Sequence, residues 1–511
     1  MIPAGWAAVA AAVSIAVLGA APWLDQRLAW SGLLATAAAL VAACHCKGWR
    51  RESAVLAAAV LQVAIAFHWA PQALAEALQT SPAIGLAFTL PIIAWDACRL
   101  AAPCWVVGRM GRDPRSAWLP AALTAVVAEA VMPAVFPWKL GYATMAWPVT
   151  VQVADVGGAE ATTFTFFAHA GSLVVLAGIL TGMRPARIPP AGLAAAAVSA
   201  ASLAYGAWAL SADARRVSSA PRVRLALVQA NPERADSIDD LRRLSREACQ
   251  PDAAAPDLVC WPECSGGSYE EGLDAFADEE AVFRRSRPPQ QGLRPWPDPG
   301  CPLLLGGRIY RGYPERPRAI YQAALLLDDR ERLAGTYHKR YLMPFGEYVP
   351  GADVIPDLRL HIPLEHEFAV GSAADVLACG PARLGVLLCY EDMVPAAAAS
   401  LVRQAANVLV SLVNGATFTN PLTLSQHRLL AQARAIETRR WLVRCAATGE
   451  TCAISSAGTV AARLPLDGQG VLAVDVPLLE GLTPAVRFPG GFPLACGLAL
   501  VALVVAAWRR P

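Results

Sequence analysis

The sequence predicts two kinds of structure in one chain: a helical transmembrane bundle of eight spans, and an α/β sandwich outside the membrane. Of the 511 residues, 55% are hydrophobic, and the mean hydropathy is +0.39. This apolar share exceeds that of typical soluble proteins. Apolar stretches dominate residues 1–210, whereas short β-rich runs alternate with charged helical stretches from Val223 to about Val476. The second pattern favours central sheets covered by helices.

Eight stretches supply the roughly 20 predominantly apolar residues that a membrane span requires. They lie at 5–22, 28–46, 53–69, 83–107, 117–135, 162–182, 191–210 and 490–508. The first could be a cleaved signal peptide, but no Lys or Arg precedes it and a second span follows at once, so we predict an uncleaved helix. The predicted domains are a seven-span membrane domain (1–212), an extramembrane domain (221–482) and an eighth helix with a basic tail (488–511).

Basic residues follow every even-numbered span, whereas the loops 70–82 and 136–161 are poor in Lys and Arg. The basic residues are Lys47, Arg50, Arg51, Arg109, Arg112, Arg115, Arg184, Arg187, Arg509 and Arg510. The positive-inside rule therefore predicts that both termini are cytoplasmic and that the extramembrane domain lies on the outer side.

Several apolar runs in the extramembrane segment have the length and composition of buried strands. These are Val223–Gln229, Leu258–Trp261, Leu303–Ile309, Ala323–Leu327, Leu384–Leu388, Val408–Val413, Trp441–Cys445 and Thr451–Ser455. Ile238–Cys249 and Gln426–Thr438 are predicted helices, and the Pro- and Arg-rich Arg284–Gly300 is predicted to be a surface excursion.

Composition argues against several functions. The chain has 43 Lys and Arg against 41 Asp and Glu, without a basic stripe, so nucleic acid is not an expected partner. Its 7 His residues are dispersed, and neither a metal-ligand spacing nor a Gly-rich phosphate loop is present, so neither a metal nor a cofactor is predicted. The 13 cysteines do not form a disulfide framework; Cys260 and Cys264 could pair or stay free.

Three short segments, which contain Glu263, Lys339 and Cys389, carry side chains suited to cysteine acyl transfer. Cys389 lies just past the run 383–388, at the C-terminal end of a probable strand, where α/β sheets place ligands, and the amides after it could hold an oxyanion. Its alternative is a thiol that merely packs in the core.

Glu263 ends the apolar run 258–262 and could act as a general base if burial raised its pKa. The alternative is an exposed carboxylate at a strand end. Lys339 could stabilise an oxyanion or lower the pKa of the thiol, or it could be a solvated lysine in a charged turn. The aromatic, Gly and Pro residues of 342–350 favour the functional role, in which Glu347 could orient Lys339.

Taken together, Glu263, Lys339 and Cys389 with their flanking segments resemble the Glu-Lys-Cys triad of the nitrilase superfamily. With the flanking spans, the chain resembles the apolipoprotein N-acyltransferase family over nearly its whole length. The motifs are Phe136-Pro137-Trp138, Gly141-Tyr142, Gln229-Ala230-Asn231, Trp261-Pro262-Glu263, Tyr337–Pro350, Cys389-Tyr390-Glu391, Gln426-His427 and Arg434-Ala435-Ile436-Glu437-Thr438.

The resemblance implies a nitrilase-like αββα sandwich and a ping-pong reaction. Cys389 would take an acyl chain from a membrane phospholipid as a thioester. The α-amino group of a diacylglyceryl-cysteine at an apolipoprotein's N-terminus would then accept the chain. Glu263 would serve as the general base and the general acid, and Lys339 would stabilise the oxyanion. The resemblance further implies a monomer in the bacterial inner membrane with a periplasmic catalytic domain.

Further residues acquire expected roles from this resemblance. The supporting or oxyanion set is Glu347, Tyr390 and Glu391; the substrate-binding or lid set is Trp138, Phe345, Tyr348 and Phe418. Two segments depart from the family pattern: Asn414-Gly415-Ala416-Thr417-Phe418-Thr419 replaces Asn-Asp-Ala-Trp-Phe-Gly, and Ala447 replaces an Asn. A Lys-Trp pair expected after Gln229 is also missing. These departures bear on acceptor specificity more than on acyl chemistry.

Two alternatives stay open at this point: a membrane-anchored carbon–nitrogen hydrolase (amidase) in which water replaces the amine, and a catalytically lapsed module that binds lipids or lipoproteins.

Outside the triad, Asp96 and Arg99 are predicted to form an ion pair within one span. Glu129 is expected to brace helices, and His427 to be structural.

Overall fold

The computed structural model describes most of the chain. The described residues are 4–45, 49–110, 113–182, 188–230, 237–250, 255–265, 268–271, 275–277, 301–311, 319–330, 332–362, 364, 367–416, 418, 420–466 and 468–508. Predictions for Lys47, Arg112, Arg184, Arg187, Asn231, Arg284–Gly300, Thr417, Thr419, Arg509 and Arg510 lie outside these residues. The chain divides into two units, one of Met1–Gln72, Pro82–Ala212 and Thr483–Pro511, and one of Ala73–Ser81 and Asp213–Leu482.

Long helices coincide with all eight predicted apolar stretches. They are Ala4–Leu24, Ala29–His45, Trp49–Ala66, Pro82–Met110, Trp118–Val131, Ala159–Leu180, Pro190–Ser219 and Gly491–Trp508. Shorter helices are Ala70–Ala77, Pro148–Val151, Ala154–Gly157 and Pro484–Arg487.

Fewer of these helices than predicted meet the requirements of a membrane span. Within the described residues, five are long and apolar enough, or six if Glu52–Ala66 and Ala70–Ala77 count as one bent span. Trp118–Val131 has 14 residues and a length of about 21 Å, less than the ~30 Å hydrocarbon core. The predicted span 117–135 stops early because Pro133 disfavours helix at the residue before it.

The buried side chains of Asp96, Arg99 and Glu129 in the helical unit have ionic or hydrogen-bonding partners. Asp96 and Arg99 form the predicted ion pair at 3.1 Å, one helical turn apart. Glu129 accepts hydrogen bonds from the Leu140 amide and the Thr163 hydroxyl, both at 2.8 Å. Because Thr163 belongs to a different helix from Glu129, this carboxylate braces two helices, as expected.

The α/β unit contains two sheets. The first has eight strands: β1 (Arg222–Gln229), β2 (Leu258–Cys260), β3 (Ser268–Glu271), β4 (Ala275–Ala277), β5 (Leu303–Arg311), β6 (Ala319–Leu327), β7 (Leu333–His338) and β14 (Gly470–Pro477). The second has six: β8 (Leu377–Cys379), β9 (Ala382–Leu388), β10 (Val408–Val413), β11 (Leu442–Ala446), β12 (Cys452–Ile454) and β13 (Val460–Arg463). Their central strands are parallel, β1-β2-β5 in one sheet and β9-β10-β11 in the other.

The two sheets pack against each other, and helices cover their outer faces. Cys445 of β11 donates to the carbonyl oxygens of Val228 and Cys260 in the first sheet, at 3.3 and 3.1 Å. Helix Ser237–Ala248 packs on the first sheet, and Pro395–Arg403 and Pro421–Thr438 lie against the second. This helix–sheet–sheet–helix order confirms the predicted α/β sandwich.

Gly306 allows β5 to approach the segment that carries Glu263. A Cβ atom at position 306 would lie 2.5 Å from Glu263 Cα and 2.7 Å from the Pro262 oxygen. Since both atoms belong to backbone, neither can move aside as a side chain would.

We expect Gly306→Ala to destabilise the protein by about 1–3 kcal/mol, because the added methyl overpacks this backbone contact. Gly470→Ala is the matched control, since its Cβ would meet only Leu464 Cδ2 at 3.9 Å. Thermal unfolding of the detergent-solubilised proteins measures the difference. Equal melting temperatures for the two variants would contradict the close approach.

Candidate active site

The three predicted catalytic residues lie just after the carboxyl ends of three strands. Cys389 directly follows β9, Lys339 directly follows β7, and Glu263 lies three residues beyond β2. Cys389 begins a 3-10 turn (Cys389–Met393) and has a φ of +47°, a conformation rare for residues other than glycine. The turn therefore places the thiol at a strained strand end, as is common at functional sites.

The structure brings these three side chains together. Lys339 Nζ lies 3.1 Å from Glu263 Oε1 and 2.7 Å from Glu347 Oε1. The Glu263 carboxylate is hydrogen-bonded to the Cys389 thiol, whose sulfur also lies 3.6 Å from the Asn414 carbonyl oxygen. An acid, an ammonium and a thiol thus share one buried cluster.

Burial controls the protonation of this cluster, since Lys339 is only 1% exposed. Burial raises the pKa of Glu263, and the favourable charge of Lys339 offsets only part of this effect. Burial alone would lower the pKa of Lys339, but Glu263 and Glu347 reverse the effect and hold it well above its usual value. Burial and the Glu263 carboxylate raise the pKa of the Cys389 thiol well above its usual range. The resting site therefore holds an ammonium and a neutral thiol that needs a base.

Glu391 ties the turn of Cys389 to the segment that carries Lys339. This fully buried carboxylate accepts hydrogen bonds at 2.8–3.1 Å, and its donors are the Tyr337 hydroxyl and the amides of Arg340, Tyr341 and Leu388. Because the donors flank both Lys339 and Cys389, Glu391 fixes the nucleophile and the ammonium to each other. Tyr390, between Cys389 and Glu391, is also buried.

Glu347 is held in the same way on the other side of Lys339. Its Oε2 accepts from the Met343 amide at 2.7 Å. Phe345, within the same tight segment, has a φ of +65°. These contacts give the 342–350 run a defined shape around a carboxylate directed at Lys339.

The predicted substrate-binding residues occupy different environments. Phe345 and Phe418 are half-buried and Tyr348 is exposed, and their substrate-binding role stays a prediction. Trp138, by contrast, is buried within the helical unit, where it donates to Asp96 Oδ2 at 3.3 Å and stacks under the Arg99 guanidinium. Its lid role stays a prediction.

The departures from the family pattern have a partial structural explanation. A Cβ at Gly415 would lie 2.6 Å from Leu424 Cδ2 and 2.7 Å from the Thr448 oxygen, so the Asp usual in the family does not fit this backbone. Ala447 donates its amide to the Val413 oxygen at 2.9 Å. Cys260 and Cys264 are both free, one buried and the other exposed.

A second buried network beneath the Cys389 turn is centred on Asp392, a residue that the sequence patterns did not point to. Asp392 lies 2.7 Å from His427 Nε2, and accepts from Arg444 Nε at 2.9 Å and from Ser411 Oγ at 2.8 Å. Burial acts to raise the pKa of Asp392, but His427 and Arg444 outweigh it and hold the pKa below its usual range. The sequence does contain one sign of this network. Ser411 and Arg444 are polar residues within two otherwise apolar strands, and the pairing of these strands places them side by side.

The chain is similar to known proteins in both sequence and fold. The carbon–nitrogen hydrolase family model matches residues 224–480. The apolipoprotein N-acyltransferase of Geobacter metallireducens is 30% identical over 390 residues, covering 73% of this chain and 70% of the relative. That of Azotobacter vinelandii is 31% identical over 390 residues, covering 73% and 69%. Among solved structures, Saccharomyces cerevisiae Nit3, a nitrilase-superfamily member, aligns with a TM-score of 0.36 and 17% identity, over 50% of this chain and 90% of Nit3.

We expect Asp392→Asn to destabilise the protein by about 3–5 kcal/mol, because it leaves the buried Arg444 without a charged partner. Ser411→Ala is the matched control: it removes one neutral hydrogen bond to the same carboxylate and costs about 1 kcal/mol. Thermal unfolding compares the two. If both variants unfold at the same temperature, Asp392 does not carry the network.

Proposed function

Because the chain belongs to the apolipoprotein N-acyltransferase family and contains its carbon–nitrogen hydrolase domain, we propose that it N-acylates apolipoproteins. In this reaction an acyl chain of a membrane phospholipid passes through a thioester on Cys389 to the α-amino group of an N-terminal diacylglyceryl-cysteine. The observation that carries the proposal is the buried contact of Glu263 with both Lys339 and Cys389.

In the first half-reaction Glu263 removes the proton of the Cys389 thiol as the sulfur attacks the ester carbonyl carbon. The tetrahedral oxyanion that forms is stabilised by the Lys339 ammonium. When it collapses, the carbon–oxygen bond breaks and Glu263 returns the proton to the departing lysophospholipid alkoxide. The acyl chain remains on sulfur.

In the second half-reaction the neutral α-amino group attacks the thioester carbon. Glu263 accepts the amine proton, the carbon–sulfur bond breaks, and the Cys389 thiolate recovers that proton from Glu263. One carboxyl group thus serves as base and acid in both halves, and splitting amide formation in two lowers each barrier.

Glu347 has a distinct part in this scheme. Each time Glu263 takes up a proton, Lys339 loses one of its two anionic partners. Glu347, 2.7 Å away, is the second of these partners and keeps the buried ammonium paired. We therefore assign Glu347 as a positioning residue, together with Glu391 and Tyr390, and Phe345, Tyr348, Phe418 and Trp138 as substrate-side or lid residues.

The apolar helices support a membrane-embedded bacterial protein. Within that frame we propose eight spans with both termini cytoplasmic, divided as 1–212, 221–482 and 488–511, and an extracytoplasmic catalytic domain in a monomer. A site on the outer face would meet two lipid-anchored substrates in the same leaflet. The amidase and the lapsed-module alternatives are not favoured, since relatives matching 73% of the chain are acyltransferases by name.

Purified protein incubated with phospholipid alone is expected to gain an acyl adduct on Cys389, detected by mass spectrometry of the active-site peptide. A diacylglyceryl peptide added next is expected to remove the adduct and become N-acylated. Cys389→Ala should give neither product, while Cys379→Ser, a cysteine outside the triad, should give both. Release of free fatty acid without peptide acylation would favour a hydrolase, and the absence of any adduct would overturn the proposal.

The pH dependence of adduct formation tests Glu263 as the base. Glu263 must be ionised to act, and its pKa is raised above the ordinary 4.5, so the rate should fall with acidification at a pH above that value. Glu347→Gln removes a neighbouring negative charge that raises this pKa, so we expect the acidic limb to move to lower pH. A limb that stays in place, or moves upward, would contradict the assigned coupling.

A further inference from the structure

Two cysteines flank the part of the chain that carries Glu263. Cys249 directly follows helix Ser237–Ala248, and Cys301 lies two residues before β5. Both pack into the same hydrophobic core, which includes Val259 of β2 and Leu305 of β5. Their two thiols are hydrogen-bonded to each other. The end of the helix and the beginning of β5 therefore meet through a pair of sulfur atoms.

The other cysteines of this unit have different neighbours. Cys445 donates to two backbone carbonyls, at 3.1 and 3.3 Å. Cys379 lies 3.7 Å from the Asp257 carbonyl oxygen, and Cys264 lies 3.9 Å from Gln322 Oε1. Cys260 also has Cys445 and Cys379 among its neighbours. Within the described residues, however, the thiol–thiol hydrogen bond is the one between Cys249 and Cys301.

The chemistry of the pair favours oxidation. Cys301 is 3% exposed and Cys249 is half-buried, so one sulfur is shielded and the other is reachable from the surface. The hydrogen bond from Cys249 lowers the pKa of Cys301, and the thiolate is the form that attacks a disulfide. A shielded thiol with a lowered pKa beside an accessible thiol suits the closing step of thiol–disulfide exchange.

We propose that Cys249 and Cys301 form an intramolecular disulfide in the mature protein. The oxidant is the disulfide of an extracytoplasmic thiol oxidoreductase. The two thiols lose two hydrogens and two electrons as a sulfur–sulfur bond forms, and the oxidoreductase disulfide is reduced to two thiols. The inference rests on the proposed extracytoplasmic position of the α/β unit, because disulfides persist in oxidising compartments.

The bond would close a loop that contains β2 and Glu263. It would also anchor the start of β5, the strand whose Gly306 contacts the backbone of Glu263. Closing a loop of this length restricts the unfolded chain, so we expect the melting temperature to rise by roughly 5–15 °C. Acyl-transfer activity at permissive temperature should not depend on the bond, since both cysteines pack in a core cluster whose described members do not include Glu263, Lys339 or Cys389.

The experiment uses the full-length protein in intact cells. Free thiols are trapped with acid and then alkylated under denaturing conditions without reductant, and the digest is analysed by mass spectrometry. The expected product is a peptide pair joined through Cys249 and Cys301, two hydrogen atoms lighter than its parts, with Cys379 and Cys260 singly alkylated. Finding both Cys249 and Cys301 alkylated would overturn the proposal.

A second arm separates the bond from the topology on which it rests. In spheroplasts, a membrane-impermeant maleimide should label the exposed Cys264 if the unit lies outside the cytoplasm. Labelling of Cys264 together with alkylated Cys249 and Cys301 would reject the disulfide while retaining the proposed topology. Labelling only after permeabilisation would reject the topology and, with it, the proposed source of oxidant.

Stability measurements complete the test and use variants that keep the site intact. Reductant should lower the melting temperature of the wild-type protein to that of Cys249→Ser/Cys301→Ser, whose own melting temperature should not respond to reductant. The control Cys379→Ser should respond as the wild type does. If reductant leaves the wild-type melting temperature unchanged, the two residues do not form a stabilising bond.

Discussion

The buried ammonium of Lys339 imposes its requirements on the rest of the catalytic unit. A cation that is 1% exposed is tolerable only if opposite charges replace the water that it has lost. Glu263 and Glu347 supply those charges at 3.1 and 2.7 Å. The cluster therefore carries one excess negative charge while the thiol is neutral. Ionising Cys389 without another change would add a second, so its proton has to move to Glu263.

The turn after β9 contains many polar contacts because its backbone is strained. Cys389 occupies a left-handed conformation that costs energy, and such strain persists only where the surroundings fix it. Glu391 accepts backbone donors on both sides of the site, and Asp392 is held by His427 and Arg444. The Cys389 turn is thus fixed by Glu391 and Asp392, the two acidic side chains that follow it closely.

Local sequence patterns predicted the parts of the fold that depend on local chemistry. Val408–Val413 was predicted with the bounds that the structure gives, because a fully buried parallel strand is apolar throughout. The strands β8, β13 and β14 were not predicted; β8 and β13 are only three and four residues long, and all three are partly exposed. The predicted strand Leu258–Trp261 ends at Cys260, and Trp261 instead directs its indole to Ser245.

The candidate site likewise contains some residues that local sequence patterns reveal and others that they do not. Glu263 and Cys389 follow apolar runs and Lys339 precedes the distinctive 342–350 loop, so local patterns pointed to all three, and the fold places their side chains in one cluster. Asp392 was missed because its partners lie 35 and 52 residues away in sequence. Only the pairing of β10 with β11 places Ser411 beside Arg444. The Cys249 and Cys301 pair was missed for the same reason, since spacing does not reveal which thiols meet across a core.

A carboxylate suits the proposed base better than the nearby imidazole. His427 lies 2.7 Å from Asp392, which also accepts from Arg444 and Ser411, so its Nε2 is already engaged in that network. Glu263 instead faces both the thiol and the ammonium, and burial brings its pKa closer to neutrality than that of an exposed glutamate. Because Glu347 keeps Lys339 paired when Glu263 is protonated, the site can pass a proton between thiol, carboxylate and substrate without leaving the buried cation alone.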